Sequence, residues 1–250
     1  MTMFEYSLIL PCYNESGALP YLFNQYGQLA LDRSIEVIFV NNGSKDATAE
    51  VYEQLIEKSP QYKSHFKYIH EKVNKGVGGG LKAGARVASG KWLIFTHADE
   101  QYGRASVEKV LRLKEEIKNN ELVLLKGRRS GRPARDRFFS RCFDVTATLA
   151  TGILFFDINA QPKLFKKPAI EFWNHAPDDY CIDVFLLASY KKASGAIRSA
   201  VVPLQERTSG KSSWSRGYKG TLKLASNYIR YLKAADLRPS AAILANTNKN

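Results

Sequence analysis

No stretch of this chain approaches the roughly 20 consecutive apolar residues that cross a bilayer; runs such as LILP and IEVIFV stop after a few positions. The start, MTMFEYSLILPCYNES, lacks the basic first residues and cleavage pattern of a secretory leader. These absences lead to the expectation of a soluble, intracellular protein. Cysteine is scarce: Cys12, Cys142 and Cys181 have no paired spacing for zinc and are too few for a disulfide framework. All three are expected in the core. Acidic side chains are also short, 24 against 37 Lys and Arg, leaving a formal net charge of +13 that favours anionic partners: nucleic acid, phospholipid headgroups or phosphorylated substrates. Two segments, 126–141 and 206–223, hold much of that excess. Two nucleotide fingerprints are missing as well. No register of GVGGGLKAG gives G-x-G-x-x-G, and SGKSS is not a P-loop because Gln205 stands where its first glycine belongs. Hydride transfer and NTP hydrolysis are weak readings on that ground.

What the chain does have is a core. With 250 residues, 44% of them hydrophobic, it is long enough for one large α/β domain. Short apolar, β-rich runs alternate with segments of helical period, the pattern of a wound α/β sheet. Strands are predicted at 6–10, 35–40, 66–69, 91–95 and 122–126, with another near 197–204. Helices are predicted at 17–31, 47–58, 106–118, 136–151 and 179–192, plus a glycine-rich one ending at Gly90. No internal repeat is visible, and only the last dozen residues look like a loose end.

In open α/β sheets ligands bind beyond the carboxyl ends of the strands. Here those ends are polar: Pro11 to Glu15 after the first, Asn41 to Asp46 after the second, and His97 to Gln101 after the fourth. Any one cluster is equally well read as turn and capping residues. Three brought to one edge by the same winding rule point to a site.

The ordered set LPCYNES, VNNGSKDAT, NKGVGGGLKAGARVASGKWLIFTHAD and ERTSGKSSW resembles the family 2 glycosyltransferases. It is most similar to the dolichyl-phosphate and polyprenyl-phosphate sugar transferases, over roughly residues 5 to 214. The resemblance implies a GT-A fold, Rossmann-like, with a mixed and mostly parallel sheet flanked by helices. That domain is expected over 1–214, followed by a basic amphipathic helix and tail over 215–250. It also implies an inverting, metal-dependent transfer of sugar from a UDP- or GDP-linked donor to polyprenyl phosphate or a lipid-linked glycan.

By the same resemblance Pro11, Tyr13 and Glu15 hold the nucleotide base, with Val40, Asn42 and Ala98 alongside. A ring can pack on the base and a carboxylate can accept its N–H. The family's Asp-Asp-Gly-Ser reads Asn41-Asn42-Gly43-Ser44 here, so Asn42 offers hydrogen bonds without charge, while Asp46 is expected to cap the next helix. Asp99 falls on the main ligand of the metal motif, Gln101 on the accessory one, and His97 replaces the first Asp. A bound Mg²⁺ or Mn²⁺ would stabilise charge on the leaving diphosphate, and an imidazole tilts the choice toward Mn²⁺; alternatively His97 only hydrogen-bonds ribose, or its substitution leaves a degenerate transferase that binds nucleotide-sugar without turnover. Arg128 and Arg207 match arginines that contact donor or acceptor phosphates, and Lys211 stands near the family's usual lysine, replaced here by Ser213. Arg132 and Arg135 are expected on a solvated basic face. Asp157, Asn159, Gln161 and Lys163 fill a loop that lines the sugar and acceptor site, with Gln161 and Lys163 toward acceptor phosphate. Asp183 and Asp179 are equal candidates for a base toward a saccharide hydroxyl; a phosphate acceptor, already ionised, needs none.

Residues 215–237 interleave Leu222, Leu224, Tyr228, Ile229 and Leu232 with Lys219, Lys223, Arg230 and Lys233. That pattern fits either a helix lying on an anionic membrane surface, peripheral on the cytoplasmic face, or one packed on its own domain. A nucleic-acid platform would need aromatics interleaved with Arg and Lys on an open face; here they fall mostly in strand and helix segments. No nucleic-acid partner is expected.

Overall fold

The computed structural model describes residues 4–117, 121–168 and 170–205, together with Ser226, Ile229 and Tyr231. One seven-stranded sheet organises it: β1 (Tyr6–Cys12), β2 (Ile35–Asn42), β3 (Phe66–Glu71), β4 (Trp92–Phe95), β5 (Val123–Ser130), β6 (Lys163–Lys166) and β7 (Ala196–Pro203). Their order is β3-β2-β1-β4-β6-β5-β7. Strands β1 to β4 pair in parallel. β6 runs antiparallel to both its neighbours, and β7 is parallel to β5.

The sheet is covered on both faces, as a parallel sheet must be. β1 divides its side chains accordingly: Leu8, Leu10 and Cys12 pack toward α1 (Leu19–Arg33) and α4 (Arg104–Glu115), whereas Ile9 packs toward α3 (Gly76–Val87) and α7 (Ile182–Lys192). β2, flanked by β1 and β3 and fully buried, reads as the near-continuous apolar run IEVIFV for the same reason. Its one acid, Glu36, is anchored by Ser7 Oγ, by the Ser89 and Gly90 N–H groups, and by Lys67 at 2.6 Å. Glu36 lies at the amino end of its strand and pins β1, β2 and the turn before β4.

The helices agree with the sequence pattern to within a few residues. α2 (Thr48–Lys58) and α5 (Ala134–Thr151) follow the predicted periods, and Asp46 starts α2 by accepting from the Thr48 N–H at 3.1 Å. Three elements were not predicted: β6, the short α6 (Ile170–Asn174), and a 3-10 turn at Pro60–Tyr62. Cys12 and Cys181 are buried as expected, but Cys142 is exposed. It sits on the outer side of α5, a helix in which only Asp144 and Ala147 are buried.

The glycine run in α3 has a packing cause. A Cβ on Gly78 would lie 2.2 Å from the Pro177 carbonyl oxygen, and the Gly79 N–H donates to Asp178 O at 2.9 Å. The helix therefore lies backbone to backbone on the turn leading into α7. Gly78→Ala must push that turn away, an overpacking that costs about 1–3 kcal/mol. Urea denaturation checks this, and an unchanged midpoint would show that the contact is slack.

Candidate active site

The carboxyl ends of β1, β2, β4 and β5 and the amino end of β6 open on one edge of the sheet, beside the point where strand order reverses between β1 and β4. That is where the winding rule places a ligand crevice.

The first two loops are stitched together. Asn14, in the left-handed region at φ 56°, donates its N–H to Ser44 Oγ at 3.0 Å and accepts from Lys45 N at 2.8 Å. Glu15 N donates to Thr48 Oγ1 at 3.1 Å, and Ser16 N to Asp46 Oδ2 at 3.2 Å. Burial tends to raise the Asp46 pKa, but the bonds from Thr48 and Ser16 hold it below the usual carboxylate range. Tyr13, 40% exposed, stands clear beside Pro11, while Val40 is buried in the strand and packs toward α3. Asn42 is spent differently from expectation. Its Nδ2 donates to Gly76 O at 2.8 Å and to Asn74 Oδ1 at 3.2 Å, and its Oδ1 accepts from Lys75 N at 3.1 Å. Both amide hydrogens are used to tie β2 to the start of α3, leaving one oxygen lone pair as its remaining capacity.

Past β4 the chain turns through Ala98, which is buried, and Glu100, which is in the left-handed region at φ 64°. The Gln101 N–H reaches back to Asp99 Oδ1 at 3.4 Å, and the Gln101 carbonyl accepts from Gln205 N at 3.1 Å. His97 lies edge-on to Phe95 with centroids 5.6 Å apart. Burial pushes its imidazole below the ordinary value, against the opposing pull of Asp99 and Asp183. It is therefore neutral at neutral pH and keeps a ring nitrogen lone pair.

Beneath these loops lies a layer of buried charge. Lys163 Nζ meets Asp183 Oδ1 at 2.5 Å, with Lys163 also donating to Ala160 O and Gln161 Nε2 to the same carboxylate at 3.1 Å. Gln161 and Lys163, expected at acceptor phosphate, are instead fully buried and committed to Asp183. Asp183, expected as one of two possible bases, is enclosed with them, and Asp179 accepts from Cys181 N at 2.8 Å ahead of α7. Asp157, held at φ 50°, takes the Arg129 N–H at 2.8 Å and the Arg129 guanidinium, and Arg132 approaches it at 3.6 Å. Burial tends to raise the Asp157 pKa, but Arg129 holds it below the usual range. Arg132 is thus no solvated arginine: it also donates to Ser140 Oγ at 2.9 Å. Arg128 is exposed, whereas Arg129 turns in; nothing in the doublet itself marks which faces the cluster.

Lys126 completes this layer. It pairs in register with Lys163 across the sheet and donates to the carbonyls of Gly127 at 3.0 Å and Phe156 at 3.1 Å. Burial, then the neighbouring Lys163 charge, push its amine down to about 7, against Asp157 and Asp144. The unfolded chain keeps that proton up to roughly pH 10.4. Between these values it binds more protons than the folded chain, so this group lets stability rise with pH above about 7, and its burial cost is fullest below. Replacing it, as Lys126→Met, should remove that slope. Thermal melts from pH 6 to 9 test this: parallel curves for the two proteins would refute the assignment.

Arg207 and Lys211 lie outside the described residues, as does most of 215–237. Of that segment Ser226, Ile229 and Tyr231 are helical, and Tyr231 packs half-buried against the core.

Fold and edge together define an α/β protein whose parallel strands end on one polar edge. The chain belongs to glycosyl transferase family 2, whose profile matches residues 7–173. It is 31% identical over 144 residues to a dolichyl-phosphate beta-glucosyltransferase of Dictyostelium discoideum, covering 55% of this chain but only 43% of the relative. A dolichyl-phosphate beta-glucosyltransferase of Trichomonas vaginalis matches at 24% identity over 90% of this chain and 72% of its own length. The undecaprenyl-phosphate 4-deoxy-4-formamido-L-arabinose transferase of Pseudomonas savastanoi pv. phaseolicola is 24% identical over 66% of this chain and 48% of its own. Among solved structures, the glucosyl-3-phosphoglycerate synthase of Mycobacterium tuberculosis, crystallised with Mn²⁺, UDP and glucosyl-3-phosphoglycerate, superposes with a TM-score of 0.65. That likeness covers 92% of this chain and 78% of the other at 16% identity, and establishes the GT-A fold.

Among the described residues no group of three or more His, Cys, Asp or Glu is arranged to hold a metal ion. The side chains after β4 carry the donor types that a divalent cation shared with a diphosphate takes. Asp99 brings a carboxylate, Gln101 a carboxamide and the neutral His97 a lone pair, while diphosphate oxygens would fill the other positions.

Proposed function

We propose that this chain transfers a sugar, glucose in the first instance, from a nucleoside diphosphate donor to polyprenyl phosphate at the cytoplasmic face of a membrane, with inversion. The observation that carries the reading is the convergence of the β1, β2 and β4 ends, with Tyr13, Glu15, His97 and Asp99, beside the Arg129–Asp157 cluster at one sheet edge. The names of the relatives supply the acceptor class, and the ligands of the structural neighbours favour UDP over GDP.

Pro11, Tyr13 and Glu15 take the base, and His97, Asp99 and Gln101 hold Mn²⁺ or Mg²⁺. Such a cation, when bound, neutralises charge on the leaving diphosphate. An acceptor phosphate oxygen attacks the anomeric carbon from the face opposite the diphosphate, the old C–O bond breaks, and the nucleoside diphosphate leaves with its electron pair. Arg128, with Arg207 and Lys211, meets phosphate oxygens. A phosphate nucleophile needs no proton removed, which agrees with an Asp183 already committed to Lys163. A lipid-linked glycan acceptor would need such a base.

Incubation with UDP-[¹⁴C]glucose or GDP-sugars, polyprenyl phosphate and Mn²⁺ tests the reading directly. Label should move into the organic phase from UDP-glucose. Transfer only to glycan acceptors, or none from any donor, would overturn it.

A further inference from the structure

α5 is turned inside out. Phe138, Cys142, Val145 and Leu149 recur at i, i+4, i+7 and i+11, one stripe of a helix. The stripe faces away from buried Ala147; Phe138 is 65%, Val145 55% and Leu149 82% exposed. The segment that follows adds Leu154 and Phe156, each 64% exposed. Single exposed apolar residues are ordinary on a protein surface, but a contiguous set marks a binding face. Arginines flank it: Arg135 stacks over Phe139 at 5.9 Å, and exposed Arg141 lies on the other side of the stripe. The helix has only two acids. Asp144 is buried and accepts from the Asp157 and Ile158 N–H groups at 2.7 and 3.1 Å, and Asp136 lies opposite the stripe.

We infer that this face of α5, with Leu154 and Phe156, is the surface by which the protein docks on an anionic lipid bilayer. Apolar side chains bordered by arginines suit a helix lying in the headgroup plane: the rings enter the acyl boundary while the guanidinium groups reach lipid phosphates. A second copy of the chain would instead have to bring acids to match those arginines. Asp144 clamps the helix to the segment that carries Asp157, so docking here ties the Arg129–Asp157 cluster to the membrane-bound element. The inference deepens the proposed function and rests on its membrane-borne acceptor. It assigns the docking role to α5 and not to 215–237.

Flotation with phosphatidylcholine vesicles, with and without phosphatidylglycerol and free of polyprenyl phosphate, isolates this step from acceptor recognition. The full chain should bind the anionic vesicles and release at high salt. The double variant Val145→Asp/Leu149→Asp should lose about tenfold or more in partitioning with no change in melting temperature or in its thermal shift with UDP-glucose. A bimane dye on Cys142, the exposed cysteine, should shift to the blue on binding. Equal binding by the double variant, or no vesicle binding by the wild type, overturns the inference. So does a wild-type dimer that the double variant separates without any vesicle binding, which would place a second copy on the face. Loss of binding in the variant together with no UDP-glucose response in either protein would keep the docking surface and remove the proposed donor.

Discussion

Asp183→Ala is expected to destabilise the fold by about 3–5 kcal/mol, the usual penalty for leaving a buried charge without its partner. Of its described partners the Lys163 ammonium would keep the Ala160 carbonyl, and the Gln161 amide would lose the Asp183 carboxylate as acceptor. The companion result separates charge from packing. Lys163→Met combined with Asp183→Leu removes both ions and should recover most of that loss, because a buried pair replaced by apolar groups of similar volume is often neutral or stabilising. Chemical denaturation of the three proteins measures this. If Asp183→Ala alone unfolds at the wild-type midpoint, the pair is not the structural element described here, and Asp183 is open to a role as base. Activity lost by Asp183 variants must accordingly be measured where they remain folded.

Asp99→Ala should act in the opposite way, with little change in the melting temperature of the free protein and a large change in chemistry. Asp99 is partly exposed, in the loop after β4 and outside the strand core. Removing a group that stabilises charge on a leaving diphosphate costs roughly 10²–10³ in rate. Transfer assays at saturating donor with varied Mn²⁺ would show the loss in kcat. A variant within a few-fold of wild type would mean that the leaving group is stabilised elsewhere, with the Arg129–Asp157 cluster the next group to test.

The strand ends were legible in the sequence because three polar clusters each follow an apolar run, and topology alone brings them to one edge. The helices were legible from their period. β6 was not: four residues with lysine at both ends carry no strand signature, and Lys163 is buried only because Asp183, 20 residues later, meets it. The same long-range pairing hid the roles of Arg129 and Arg132, whose partner Asp157 lies 28 and 25 residues on. Asn42 misled for a local reason. Its place in the motif suggests a nucleotide contact, yet its amide answers the backbone of the 74–76 turn. The exposed stripe on α5 was invisible because an apolar face at helical spacing ordinarily points inward.

Isothermal titration of UDP-glucose into the protein, with and without Mn²⁺ and with Asp99→Ala in parallel, tests the central claim that the edge between β1 and β4 is a donor site. The wild type should bind in a Mn²⁺-dependent way, and Asp99→Ala should lose that dependence. No binding by the wild type, or identical Mn²⁺-dependent isotherms for both proteins, would contradict it.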